Sequence, residues 1–180
     1  MNKITIFLLV VFAQTLQGME KLPVQMLAHE ESARSNGSAV AMLELGEFYA
    51  NKELNYKVAV GWLLAYGIRS IQDTLLFSGN GFKKLNHLQN EIEKLASKSS
   101  SLKNYYIENE REYAPEFELH LNEIRILTKE NKLENPDWIH RVLGKDESVN
   151  FIEPSLWQEK RTVALETVHQ MLLPGLAKKD

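Results

Sequence analysis

Residues 39–67 read AVAMLELGEFYANKELNYKVAVGWLLAYG, and this stretch decides the fold. Met42, Leu45 and Tyr49 stand at i, i+3 and i+7, one face of a helix, and Ser38 is placed to cap its first turn. The spacing predicts a helix from Ala39 to about Asn51. A second helix, from near Asn55 to a stop at Gly67, carries Val58, Ala59, Trp62, Leu63, Ala65 and Tyr66. A short polar connection between two such helices predicts an antiparallel hairpin. Gly46 removes a side chain where the helices approach, Tyr49 and Trp62 are expected to fill the wedge, and Ala59 and Ala65 mark the close-packed face.

The same three- and four-residue spacing continues on both sides. On the N-terminal side, Pro23 suits a first helical position, Leu27 and Ala33 are expected to face inward, and Asn36-Gly37 is a stop. On the C-terminal side, the stretch from Ile68 to Gly81 reads as an ill-defined helix ended by Ser78-Gly79-Asn80-Gly81. Leu85, Leu88, Ile92 and Leu95 then form the clearest amphipathic stripe, predicting a helix over Phe82–Lys98. A serine run at 97–101 marks a subdomain boundary before a helix from Leu102 to Tyr113. Pro115 is expected to open another, with Phe117, Leu121, Ile124 and Leu127 on one face. A short helix through Trp138 and Val142, a loop over 145–153 and a terminal helix from Pro154 to Pro174-Gly175 complete the reading. No stretch alternates apolar and polar residues, so the predicted class is all-α, built of antiparallel helical hairpins.

The chain of 180 residues is 44% hydrophobic and 25% charged, which suits one soluble domain. It has no cysteine, which removes disulfides, thiolate nucleophiles, iron–sulfur clusters and sulfur-ligated zinc. The net charge is −3, with no dense run of Lys or Arg, so nucleic acid is not an expected ligand. Lys3 followed by the apolar run from Ile4 to Ala13 predicts a signal peptide over residues 1–18, cleaved near Gly18. Ten residues at about 1.5 Å each are too short for a permanent membrane span. Cleavage removes one base and no acid, leaving a net charge of −4 and a periplasmic or secreted protein held together by burial alone.

The order Leu45-Gly46-x-x-Tyr49, Ala59-x-x-Trp62, Ala65 and Gly67 resembles a Sel-like repeat, a relative of the tetratricopeptide repeat. The resemblance spans about residues 24–98, so a repeat region is expected over 19–98, with a C-terminal helical region over 99–180 packed as one domain with it. The Gly-x-Gly-Val turn common in Sel-like loops is absent here, and one convincing repeat needs further helices to close its core. The resemblance implies an α-α superhelix that binds other proteins: an envelope protein, or a secreted effector neutralised by an immunity or inhibitor protein.

For chemistry, Glu116-x-x-x-His120 and Glu166-x-x-His169 place a carboxylate and an imidazole one turn apart. A di-iron bundle needs more than one Glu-x-x-His, so no metal is expected. Phosphate loops and nucleophile elbows are absent, so no cofactor and no catalytic residue are expected. The alternative is a small helical enzyme or ligand carrier whose site gathers Glu116, His120 and His169. The segment 105–118 concentrates glutamates among aromatics, and Tyr105, Glu108, Glu110, Glu112, Tyr113 and Glu116 are the candidate protein-binding residues, suited to a basic partner. Trp138 and Trp157 read first as packing anchors.

Overall fold

A computed structural model describes residues 23–52, 54–77, 90, 94, 100–143 and 151–176, without the side chains of 141–143 and 169–176. Among them are seven α-helices: α1 (Val24–Asn36), α2 (Ala39–Asn51), α3 (Tyr56–Thr74), α4 (Ser100–Glu108), α5 (Glu110–Lys129), α6 (Trp138–Leu143) and α7 (Trp157–Leu176). No strand occurs among the described residues, so the all-α class holds. An isolated antiparallel bridge joins Phe77 to Phe151, whose rings stack at 4.9 Å. No helix among the described residues is long and apolar enough to cross a membrane. The stripe residues Leu85, Leu88, Ile92 and Leu95, the stop at 78–81, the loop residues 145–150 and the segment before Pro23 lie outside the described residues.

The α2–α3 pair forms as its sequence dictates. The Ser38 hydroxyl accepts from the Ala41 amide and the Asn55 side chain from the Val58 amide, so each helix starts at a capping residue. Pro23 precedes α1, and Gly37 ends it in the left-handed conformation at φ 65°, its amide donating to Ala33. A Cβ at Gly46 would lie 2.6 Å from Leu63 Cδ2, so the bare backbone is what admits the Leu63 side chain. Leu45, Ala59 and Ala65 are fully buried and Tyr49 is half-buried.

Four expectations need correction. The second hairpin helix does not stop at Gly67: α3 runs to Thr74, because Arg69, Gln72 and Asp73 are all buried by later parts of the chain. A helical glycine costs only about 1 kcal/mol, which that burial outweighs. Pro115 does not open a helix. The break comes earlier, at Asn109, and Pro115 sits inside α5, whose first turn carries Glu110 and Glu112. Leu27 does not face inward and is half exposed, leaving Ala33 as the buried residue of α1. Pro154 does not open the terminal helix and Pro174-Gly175 do not end it: a 3-10 turn covers Pro154–Leu156 and α7 runs on to Leu176.

One apolar core draws Ala33, Met42, Leu45, Trp62 and Tyr66 together with Phe117, Ile124, Trp138 and Leu165, from both sides of the serine run. The α3 helix is its axis, packing on α2, α5 and α7. A smaller cluster of Ala50, Ala59, Val60 and Leu63 is closed by Leu102 from α4 and Tyr113 from α5.

Replacing Gly46 by Leu should lower stability by about 1–3 kcal/mol, read as a fall in Tm. Removing the Leu63 side chain in the same chain should make the two effects non-additive in a double-mutant cycle.

Candidate functional site

Polar groups gather in three places, and each says something different about function. The first is wholly internal. Asp73 on α3 is fully buried and accepts from four donors. Arg69 donates to it through Nη1 at 3.1 Å and Nη2 at 2.6 Å. Arg161 Nε of α7 donates at 2.7 Å, and the Trp138 indole at 2.6 Å. Arg69 Nε also donates to the Gly37 carbonyl, and Arg161 Nη2 to the Glu134 carbonyl. Gln72 completes the set by donating to the Thr128 hydroxyl and the Arg161 carbonyl.

Two guanidiniums face one carboxylate, and Glu134 lies near enough to interact with both Arg69 and Arg161. Its carboxylate accepts from the Ala39 amide at 2.7 Å at the start of α2, and its own amide donates to the Asn36 carbonyl. Burial pushes the Glu134 carboxyl above the usual range, against the pull of the Ala39 amide and Arg69. Burial and the neighbouring Arg69 push the Arg161 guanidinium down, with Asp73 opposing. Nearly every donor here has an acceptor inside the fold, and the set closes on itself as scaffold.

The second cluster lies where α1, α3 and α5 meet. The His120 ring is buried and stacks on Trp62 at 3.8 Å, while the Arg34 guanidinium lies over the same indole at 5.2 Å. His120 Nδ1 is 3.1 Å from Glu123, which in turn pairs with Arg34. Burial would raise the Glu123 carboxyl, but the hydrogen bond with His120 and the Arg34 charge outweigh it and hold the group low. Arg34 shifts upward correspondingly, its burial outweighed by Glu123 and Glu30. On the other ring nitrogen, His120 Nε2 lies 3.5 Å from Glu116 without hydrogen-bond geometry. The two carboxylates flank opposite nitrogens of one ring, an arrangement that does not chelate a single ion. Among the described residues no group of three His, Asp or Glu side chains is able to hold a metal. Glu166 is exposed, and the His169 side chain lies outside the described residues. Trp62 therefore seals the seam with α1 and α5, and Leu63 is the side chain that fills the space at Gly46.

The third cluster is the α4–α5 corner, where the candidate binding residues other than Glu116 fall; Glu116 belongs to the second cluster, over Gly61 and beside His120. Glu108 and Glu112 are exposed, and Tyr105, Glu110 and Glu116 are half-buried. Tyr113 is not available as a contact residue: it is 6% exposed and stacks under Tyr106 at 5.5 Å. The exposed aromatic is Tyr106, at 48%, with Ile107 beside it at 66%. The sequence signal for that exchange was the seven-residue step from Tyr106 to Tyr113, which brings the two rings together once the chain breaks at Asn109. The Tyr105 hydroxyl donates to Glu112 at 2.8 Å. Its pKa is pushed up to about 12 by partial burial and that carboxylate. Burial, with Tyr106 and Glu110 nearby, also pushes Tyr113 up to about 12. Both phenols therefore stay neutral, and the corner's negative charge comes from its glutamates, which outnumber Lys103 and Arg111. Trp138 is fully buried and Trp157 half-buried, its indole donating to the Ile152 carbonyl, so both serve as anchors.

No family model, no curated protein and no solved structure matches the chain.

Replacing Asp73 by Ala leaves two buried guanidiniums unpaired and should cost about 3–5 kcal/mol in urea unfolding. For Glu134 the sign follows from its raised folded-state pKa. The folded chain holds the proton more tightly than the unfolded chain, so this group's contribution is fully present at acid pH and is lost as pH rises through the carboxylate range. Replacing Glu134 by Gln keeps an acceptor for the Ala39 amide and removes that loss. The difference in Tm between E134Q and the natural chain should therefore grow in favour of E134Q from about pH 4 to pH 7.

Proposed function

We propose that this chain is an exported, all-helical protein-interaction module that recognises a basic partner through the α4–α5 corner. The supporting observation is how its polar groups divide. The buried charges of the interior are spent on one another, whereas the corner leaves Glu108 and Glu112 exposed beside Tyr106 and Ile107. Aromatic and aliphatic contact area rimmed by carboxylates that outnumber the exposed Lys103 and Arg111 suits protein recognition, with the carboxylates steering encounter. The apolar run at residues 4–13 supports export to the periplasm or beyond. The Leu45-Gly46-x-x-Tyr49 and Ala59-x-x-Trp62 order supports a Sel-like hairpin as the unit of construction. Neutralising a secreted effector, as an immunity or inhibitor protein does, is one form of this role.

Capture on the tagged, exported chain under gentle crosslinking should recover a specific partner whose contact surface is basic. Replacing Glu108, Glu110 and Glu112 with Lys should weaken that association more at low ionic strength than near 0.5 M salt, where the screening length is about 4 Å. Equal weakening at both salts would show that the corner does not act by charge.

A further inference from the structure

The outward face of α5 continues the corner. Glu112, Leu119 and Ile126 stand exactly one heptad apart, and Leu119 and Ile126 are 47% and 55% exposed. The core face of the helix is spoken for by Tyr113, Phe117, Leu121, Ile124 and Leu127, so this row points away from the fold. Pro115 and Asn122, beside the row, are exposed as well. Charge along the face is graded. At its N-terminal end Glu112 and Glu118 are exposed together with one cation, Arg111, and the exposed Glu108 ends the preceding helix. At its C-terminal end Lys129 is exposed and Glu130 is paired with Lys132 at 2.7 Å.

We infer that this row docks the apolar face of an amphipathic helix of the partner, with the helix's basic end over the acidic α4–α5 corner. The inference rests on the reading of that corner as a site for a basic partner, and it adds the partner's form and orientation. Two aliphatic side chains seven residues apart on a helix are separated by about 10.5 Å along its axis, which is the repeat that a second helix presents at shallow crossing angle. An extended strand repeats its same-face side chains every ~6.6–6.8 Å and falls out of step with that pair. The charge gradient then sets the direction, because Lys or Arg side chains over the C-terminal half would meet Lys129, where the neighbouring Glu130 is paired with Lys132.

The test uses the full exported chain and three synthetic peptides of identical Leu and Lys composition, followed by fluorescence anisotropy at low salt. The first is an amphipathic helix with Leu at heptad spacing and Lys concentrated at one end. The second is a scrambled isomer without an apolar face, and the third is the first peptide with a central Pro. The first should bind at least about tenfold more tightly than either of the others. That preference should vanish in L119S/I126S, whose exposed positions leave the core untouched, while the weaker, salt-sensitive binding common to all three remains. Equal binding of the three peptides would overturn the helix-docking inference and leave the acidic-corner reading standing. Binding that survives Lys at Glu108, Glu110 and Glu112 would overturn the corner reading instead, and absence of binding by every peptide would overturn both.

Discussion

Asp73 is the constraint on which the rest of the structure depends. A carboxylate with no exposure is tolerated only where donors replace the water it has lost, and here they come from α3 itself, from α6 and from α7. Each donor then reaches further. Arg69 holds the Gly37 carbonyl at the α1–α2 turn, and Arg161 holds the 134 backbone. Through these bonds, segments up to 88 residues apart in sequence are fixed against one helix. The same constraint explains why α3 is long: its last two turns exist to present Arg69, Gln72 and Asp73 to elements that arrive much later in the chain.

The Trp62–His120 seam works by a different balance. Its Trp62–His120 stack is buried and gains from contact area, while the ion pairs around it are partly exposed and contribute less per contact. Arg34 belongs to both halves, lying over the indole and pairing with Glu30 and Glu123. It fastens α1 to α5 through charge, joining the N-terminal helix to the C-terminal half. Among the described residues, the charges around Asp73 and the Arg34 seam are engaged inside the fold, whereas Glu108 and Glu112 at the α4–α5 corner and Leu119 and Ile126 on the outer row of α5 are exposed.

Much of this was legible in the sequence. The helical class followed from spacing alone, and so did the starts of α2 and α3, since a capping side chain acts on amides two or three residues away. The closeness at Gly46 was readable from one missing side chain, although its filler is Leu63. Gly67 and Pro115 misled for one reason: local breaking tendencies cost a few kcal/mol at most, and burial of the whole helix face outweighs them. In the acidic segment the residue types were readable, but the break at Asn109 exchanged Tyr113 for Tyr106 as the exposed ring.

The sequence by itself determined what short-range forces control: helices, their caps, the sign of the charge and the absence of sulfur chemistry. Only the tertiary structure decided which polar residues are interior. Arg69, Gln72, Asp73, His120 and Arg161 look like surface residues of amphipathic helices, and no local pattern distinguishes them from Glu108 or Glu118. The distinction arises because a buried charge is viable only when partners from distant segments converge on it, and that convergence is a property of the folded chain.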